Sequence, residues 1–463
     1  MNNKKIVYSI LGLFAAIFLL LAGYMAYFTV FESKDIAVHP YNRRLDHLEG
    51  EVVRGTIYDT NGNILAVTED GERAYPYGSR YAHAVGYSGV GKYGAESLTN
   101  IELLYPDYNL KSIFQNTFTG KKFEGRDVVL TLDDRLQKAT EEAMEGYKGA
   151  VVILEPSTGK IKTMYANPAF NPNNVADNWD SLVADEENSP LINRATQGLY
   201  PPGSIFKVIP TISLIESYPE YKDIVYQCTG SIAKKNYSIK CYNGIVHGEI
   251  TLKEAFEKSC NTYFVNLQEY ISAKQLEEVS ERLLFNTAFP LDLEYSKSRL
   301  DVGKDSTDFD ISAAYIGQGK TLATPIHMAM LASMIANDGV LMEPYIFDYS
   351  KNEKGKVLLK NLPSYHKALI DEKIAKILQE LMIGVIDTGT ASRLSTRGLI
   401  AGGKTGTAEN ETGRDHSWFI GFAQNEERPE EKIAFAIIVE NGGQGAKALE
   451  ITQQILRAFV YLE

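Results

Sequence analysis

The sequence predicts an α/β (α+β) protein with an antiparallel sheet flanked by helices, an all-helical subdomain, a small N-terminal domain and one transmembrane helix. Three observations lead there. Strand-like segments stand at both ends of residues 125–463, first at 150–165 and again between 404 and 439. The long stretch between them reads as largely helical. Ahead of everything, Ile6–Phe31 is an apolar run without a single charge.

That run is long enough to cross a bilayer with some tilt. Lys4 and Lys5 precede it, whereas Glu32, Lys34 and Asp35 roughly cancel beyond it. Positive-inside logic makes residues 1–5 a cytoplasmic tail, 6–31 the anchor, and everything later extracytoplasmic. A cleaved signal peptide is the competing reading. The run exceeds a usual h-region and no Ala-x-Ala site follows, which favours an uncleaved anchor.

Residues 32–124 form a small region. Arg54–Val67 reads as two short strands about a Thr60-Asn61-Gly62 turn, and Ala95–Tyr105 as a helix. From 125 the pattern becomes α/β. Asp127–Leu132 is a strand, Asp134–Met144 has helical spacing, and Ala150–Leu154 with Ile161–Tyr165 forms a hairpin. Strands return at Lys404, Trp418–Phe422 and Lys432–Val439, and an amphipathic helix, Ala446–Leu462, closes the chain.

Composition excludes some functions. At 463 residues there is chain for two folded regions. A net charge of −12 argues against nucleic acid as a main partner. The seven histidines form no His-x-x-x-His pair and the three cysteines no Cys-x-x-Cys pair, so no metal site or cofactor is expected. Cys260 reads as a small buried residue. Cys228 and Cys241 flank a polar segment where a disulfide is permitted, and their pairing stays open.

Three strings carry chemistry, in this order: Ser204-Ile-Phe-Lys207, Ser259-Cys-Asn261 and Lys404-Thr-Gly-Thr407. Ser-x-x-Lys also starts at Ser157, Ser231 and Ser364, so context must choose. Ser157 sits in a hairpin turn, Ser231 in a polar stretch and Ser364 in a charged loop. Ser204 follows the breaker Pro201-Pro202-Gly203 and opens an apolar helical run. Free N–H groups at a helix start favour developing negative charge, and Lys207 is one turn on. A lysine among Ile205, Phe206, Val208 and Ile209 is desolvated, which lowers its pKa and makes it a base. The rival Ser350-Lys-Asn352 is read as a solvated turn. Lys404-Thr-Gly is unique in the chain, and Gly402-Gly403 before it lets another backbone approach closely.

The chain thereby resembles a class B, monofunctional penicillin-binding protein, a peptidoglycan D,D-transpeptidase of the serine penicillin-recognising acyltransferase superfamily. Arg54–Gly62, Asp127–Asp134, Gly317-Gln-Gly319 with Thr324-Pro325, and Trp418–Gly421 extend the likeness over residues 50–460. The resemblance implies a penicillin-recognising fold over 125–463, with 32–124 as a pedestal. It implies a Ser204 acyl-enzyme formed from a stem peptide ending in D-Ala-D-Ala, and covalent inhibition by β-lactams. Lys207 would be the base, and backbone N–H groups of Ser204 and Thr407 would hold the oxyanion. Ser259 would relay a proton and Asn261 fix the substrate amide. Lys404, with Thr405, Gly406 and Thr407, would hold the terminal carboxylate. Residues 32–124 lack a glycan-polymerising constellation, so the resemblance implies a SEDS-family glycan polymerase as membrane partner. A D,D-carboxypeptidase, a β-lactamase and a non-catalytic scaffold remain the alternatives.

Overall fold

The computed structural model describes residues 2–28, 52–106, 121–234, 236–303, 305–409, 413–443 and 446–461. Met1, the end of the expected anchor (29–31), and 32–51 and 107–120 of the expected pedestal lie outside the described residues.

Helix α1, Asn2–Tyr27, carries the apolar run, and its Ile6–Tyr27 portion has a mean hydropathy of 2.5 with no residue buried by the protein. A helix exposing that much apolar surface is a candidate membrane span. Beyond it, Ile57–Tyr58 pairs antiparallel with Ile64–Glu69 around the expected turn. Asp59 closes that turn, its carboxylate accepting from the N–H of Asn61 and Asn63. The expected helix over 95–105 is two short ones, Ala95–Leu98 and Asn100–Leu104.

These N-terminal strands do not form a sheet of their own. They join Asp127–Leu130, Phe347–Lys351 and Val357–Lys360 in a six-stranded sheet, so hydrogen bonds run across the division placed at 124/125. Arg54 ties this region together. It donates to the buried Glu96 carboxylate at 2.6 Å, and Arg73 donates to the same carboxylate at 2.7 Å. Ser350 corrects the sequence reading. It is a buried strand residue donating to Glu102 Oε2 at 2.7 Å, not part of a solvated turn.

The second sheet is antiparallel, five-stranded, and assembled from both ends of residues 125–463. Its strands are β1 (Gly149–Leu154), β2 (Ile161–Asn167), β3 (Leu399–Ala408), β4 (His416–Asn425) and β5 (Lys432–Val439), in the order β2-β1-β5-β4-β3. β1 and β5 are almost wholly buried, which requires cover on both faces. The C-terminal helix, Ala446–Val460, packs with Asp134–Ala143 against the sheet; Pro325–Ala336 and Glu372–Asp387 form a second helical pair against it. The segment from 203 to 336 supplies the insert. It is mainly helical but not all-helical as expected, because the short strands 226–228 with 248–250 and 231–233 with 238–240 pair within it. β3 is left at the sheet edge, facing that insert, and so becomes one wall of a junction.

Candidate active site

Ser204 enters the junction on a 3-10 turn, Gly203–Lys207, which runs directly into helix α2, Val208–Ser217. Side chains three apart eclipse in a 3-10 helix, so Ser204 and Lys207 share a face. Gly203 permits the turn. Its φ is +56°, and a Cβ there would come 2.5 Å from Thr407 O. Pro210 falls in the first turn of α2, where its missing N–H leaves no intrahelical bond unmade.

Lys207 is fully buried and reaches the second motif. Its Nζ donates to Ser259 O at 2.7 Å, to Asn261 Oδ1 at 2.7 Å and to Ser259 Oγ at 3.1 Å. Burial lowers its pKa to about 7, with a smaller opposing pull from Cys260 and Cys241.

Ser259 sits between helices α3 (Leu252–Glu257) and α4 (Asn261–Asn266) with a φ of +57°. That left-handed conformation is strained for a side chain with a Cβ, and such strain gathers at functional sites. The break is held by Cys260 N–H donating to Ala255 O at 2.9 Å. Asn261 Nδ2 donates to Lys240 O at 2.9 Å, which orients Oδ1 toward Lys207.

Lys404 lies on the edge strand β3 and is also fully buried. Its Nζ donates to Ser259 Oγ at 2.9 Å and to Thr405 O at 3.2 Å. Burial first, and the charge of Lys207 second, hold its pKa well below the ordinary lysine value. Ser204, Ser259, Asn261, Thr405 and Thr407 line one open cavity of about 1510 Å³. The two lysines stand behind its wall and meet it through Ser259.

Gly406 lies at the closest approach of β3 to the turn that carries Ser204. It is absent from the cavity lining, and a Cβ there would come 2.9 Å from Ile205 Cγ2 and 3.0 Å from Trp418 Cβ. Its smallness lets β3 close on the turn that carries Ser204. Two residues went unnoticed in the sequence. Thr390 Oγ1 lies 2.6 Å from Thr405 Oγ1, and Gln318 lines the cavity and donates to Thr407 O at 3.4 Å. Gln318 lies in Gly317-Gln-Gly319, part of the family likeness, whereas Thr390 has no local signal in the sequence.

All three cysteines are free and buried, with Cys260 the small buried residue that the sequence indicated. Cys228, Cys241 and Cys260 meet in one cluster with His247, their ligand-type atoms within 4.8 Å of one another, although the sequence spacing suggested no metal site.

Comparison with known proteins agrees with this geometry. The profile of the penicillin binding protein transpeptidase domain matches residues 149–460. The peptidoglycan D,D-transpeptidase PbpA of Mycobacterium tuberculosis is 31% identical over 467 residues, covering 93% of each chain. The crystal structure of M. tuberculosis PBPA matches at a TM-score of 0.79 and 30% identity, over 88% of this chain and 98% of that one. The penicillin G acyl-enzyme complex of that protein matches at 0.78 and 30%, over 88% and 99%. On this likeness, and on a motif set that the fold brings to one cavity, the chain belongs to the penicillin-binding protein transpeptidase family.

Proposed function

We propose that this chain is a peptidoglycan D,D-transpeptidase that cross-links stem peptides through an acyl-enzyme on Ser204, the residue that β-lactams also acylate. The observation that carries the reading is the convergence of Lys207 and Lys404 on Ser259 Oγ, beside a cavity that Ser204 lines. A buried amine with a pKa of about 7 is a competent base at neutral pH.

A neutral Lys207 amine has two protons. Ser259 O and Asn261 Oδ1 accept them, so the third contact reverses and Ser259 O–H donates to the nitrogen. This joins Lys207 and Ser259 in one proton path. With the Lys207 lone pair engaged by the Ser259 O–H, the Ser204 proton reaches Lys207 through Ser259 as Ser204 Oγ attacks the penultimate D-Ala carbonyl. The oxyanion is assigned to the backbone N–H groups of Ser204 and Thr407; one preorganised donor of this kind contributes roughly 3–4 kcal/mol. Collapse breaks the C–N bond, and the proton passes through Ser259 to the departing D-Ala amine. Thr405 and Thr407, which line the cavity, hold the terminal carboxylate, with Lys404 buried behind them and Thr390 fixing the Thr405 hydroxyl. A neighbouring stem peptide's amine then attacks the ester, forming the cross-link and returning Ser204.

Residues 1–5 are assigned to the cytoplasm and 125–463 to the outside, with 32–124 as the pedestal. The sheet shared between 57–74 and 127–130 supports a rigid mount rather than a flexible tether. A SEDS-family glycan polymerase is the proposed membrane partner.

The test is mass spectrometry of the purified chain after incubation with a reporter penicillin. One adduct on a Ser204-containing peptide is expected, and Ser204→Ala should abolish it. Label that persists in Ser204→Ala, or maps to Ser157 or Ser364, would falsify the assignment. With a donor stem peptide and an acceptor amine, the cross-linked product separates transpeptidation from the hydrolysis of a carboxypeptidase.

A further inference from the structure

Three cysteine sulfurs and an imidazole nitrogen meet immediately behind the Ser259 motif. Packing alone accounts for one buried cysteine, but not for four soft ligand atoms drawn from four separate segments. Cys228 ends the strand Tyr226–Cys228. Cys241 follows the strand Ser238–Lys240. His247 precedes the strand Gly248–Ile250, whose register puts Gly248 opposite Cys228. Cys260 lies between Ser259 and Asn261, at the start of α4.

The distances decide what such a group can hold. Cys228 and Cys241 Sγ are 3.7 Å apart, Cys241 and Cys260 Sγ 3.7 Å, and Cys228 Sγ lies 3.3 Å from His247 Nδ1. Zinc–thiolate bonds of about 2.3 Å in a tetrahedron place neighbouring sulfurs about 3.8 Å apart. Two sulfur–sulfur edges of the cluster have about that length before any ion is added, and all four ligand atoms lie within 4.8 Å of one another. Tetrahedral S₃N donor sets suit zinc over harder cations. The Thr262 hydroxyl lies 3.2, 3.5 and 3.3 Å from the Cys228, Cys241 and Cys260 sulfurs, where it can support thiolate charge as outer-shell donors do.

We propose that Cys228, Cys241, His247 and Cys260 bind one zinc ion, and that this ion positions the Ser259–Asn261 segment for catalysis. The segment from 226 to 250 is built on two antiparallel pairs of three-residue strands, 226–228 with 248–250 enclosing 231–233 with 238–240, which are marginal alone and need a staple. Zinc provides it, tying both pairs to α4. Cys260 is flanked by the two residues that Lys207 contacts, and Lys240, next to Cys241, accepts from Asn261. Fixing Cys241 against Cys260 therefore fixes Asn261 and Ser259 against Lys207. The four ligands are positioning residues, because none of them touches the reacting atoms. His247 and Cys241 also border the large cavity, which offers the ion a way in.

The experiment uses the full chain in detergent, with metal content, free thiols and fluorescent-penicillin acylation measured in parallel. The protein should carry about one zinc per chain, and Cys228→Ser and His247→Ala should each lose it. Stripping zinc from the native chain should slow acylation about tenfold or more, as after loss of outer-shell support, and zinc but not magnesium should restore it. Cobalt(II) exchanged into the native chain should show the intense visible absorption and thiolate charge-transfer band of a tetrahedral site. That arm needs no variant to fold. Native chain that arrives metal-free and takes up neither zinc nor cobalt would overturn the proposal, as would a Cys228–Cys241 disulfide in active protein. An octahedral cobalt spectrum, or undiminished zinc in both variants, would also overturn it. Metal and thiol counts are independent of the acylation chemistry, so failure here is distinguishable from failure of the transpeptidase reading.

Discussion

Lys207 and Lys404 converge on one hydroxyl, Ser259 Oγ, which lies 3.1 and 2.9 Å from their amines. Both amines are buried, and two ammonium groups on one hydroxyl would repel in a medium that screens them poorly. The pair therefore favours at least one neutral amine, which is the base that serine acylation needs.

The pH dependence follows from the sign of the Lys207 shift. Its folded pKa of about 7 lies below the ordinary 10.5, so between those values the unfolded chain binds the extra proton. The Lys207 contribution to stability then rises from about pH 7 upward and is lost as pH falls through that value. Acylation rate should rise through the same pH. In Lys207→Arg the guanidinium stays protonated, so the rate should fall by several orders of magnitude and lose that limb. Stopped-flow penicillin acylation from pH 5 to 9 reads both. An Arg variant within tenfold of the native rate would place the base elsewhere.

Gly203 and Gly406 hold the turn against β3. Gly203→Ala combines an unfavourable φ of +56° with a Cβ 2.5 Å from Thr407 O, and Gly406→Ala crowds Ile205. Overpacking of this kind costs about 1–3 kcal/mol. Both variants should lower the unfolding midpoint and acylate at least tenfold more slowly. Ile205→Leu, which moves the branch from Cβ to Cγ and so removes the Cγ2 methyl, should partly restore Gly406→Ala but leave Gly203→Ala unchanged. Equal rescue of both would show that the crowding partner is not Ile205.

Arg54 belongs to a buried ion cluster, with Glu96 accepting from Arg54 and Arg73. Arg54→Ala leaves the Glu96 charge undercompensated, and breaking a buried pair costs about 3–5 kcal/mol. Denaturant unfolding should show that loss, while the protein that remains folded acylates at the native rate. Unchanged stability would mean that solvent reaches Glu96.

The anchor is expected to do more than tether. Exchanging residues 6–31 for an unrelated apolar span should leave penicillin labelling intact yet abolish co-purification with the SEDS-family polymerase that is proposed as its partner. The small residues Ala15, Ala16, Ala22 and Gly23 offer the packing surface. Full complementation by the exchanged anchor would confine the contact to the pedestal.

Local order in the sequence determined a good deal. The breaker before Ser204, the apolar helix after it, the glycines before Lys404, the hairpin at 150–165 and the terminal strands each express themselves within one or two turns of chain. Periodicity and turn chemistry are local, so they could be read without a structure. Tertiary structure alone decided what those pieces meet. It brought Lys207, Ser259 and Lys404 to one hydroxyl, placed Thr390 on Thr405, and turned Gly406 into a packing surface. It buried Ser350 in a sheet with strands from three distant segments. It also gathered Cys228, Cys241, His247 and Cys260, whose ligand atoms come from different strand pairs and one helix start and so leave no regular spacing. Contacts of this kind are set by how sheets and helices bury one another's faces, and pattern along the chain does not carry that information.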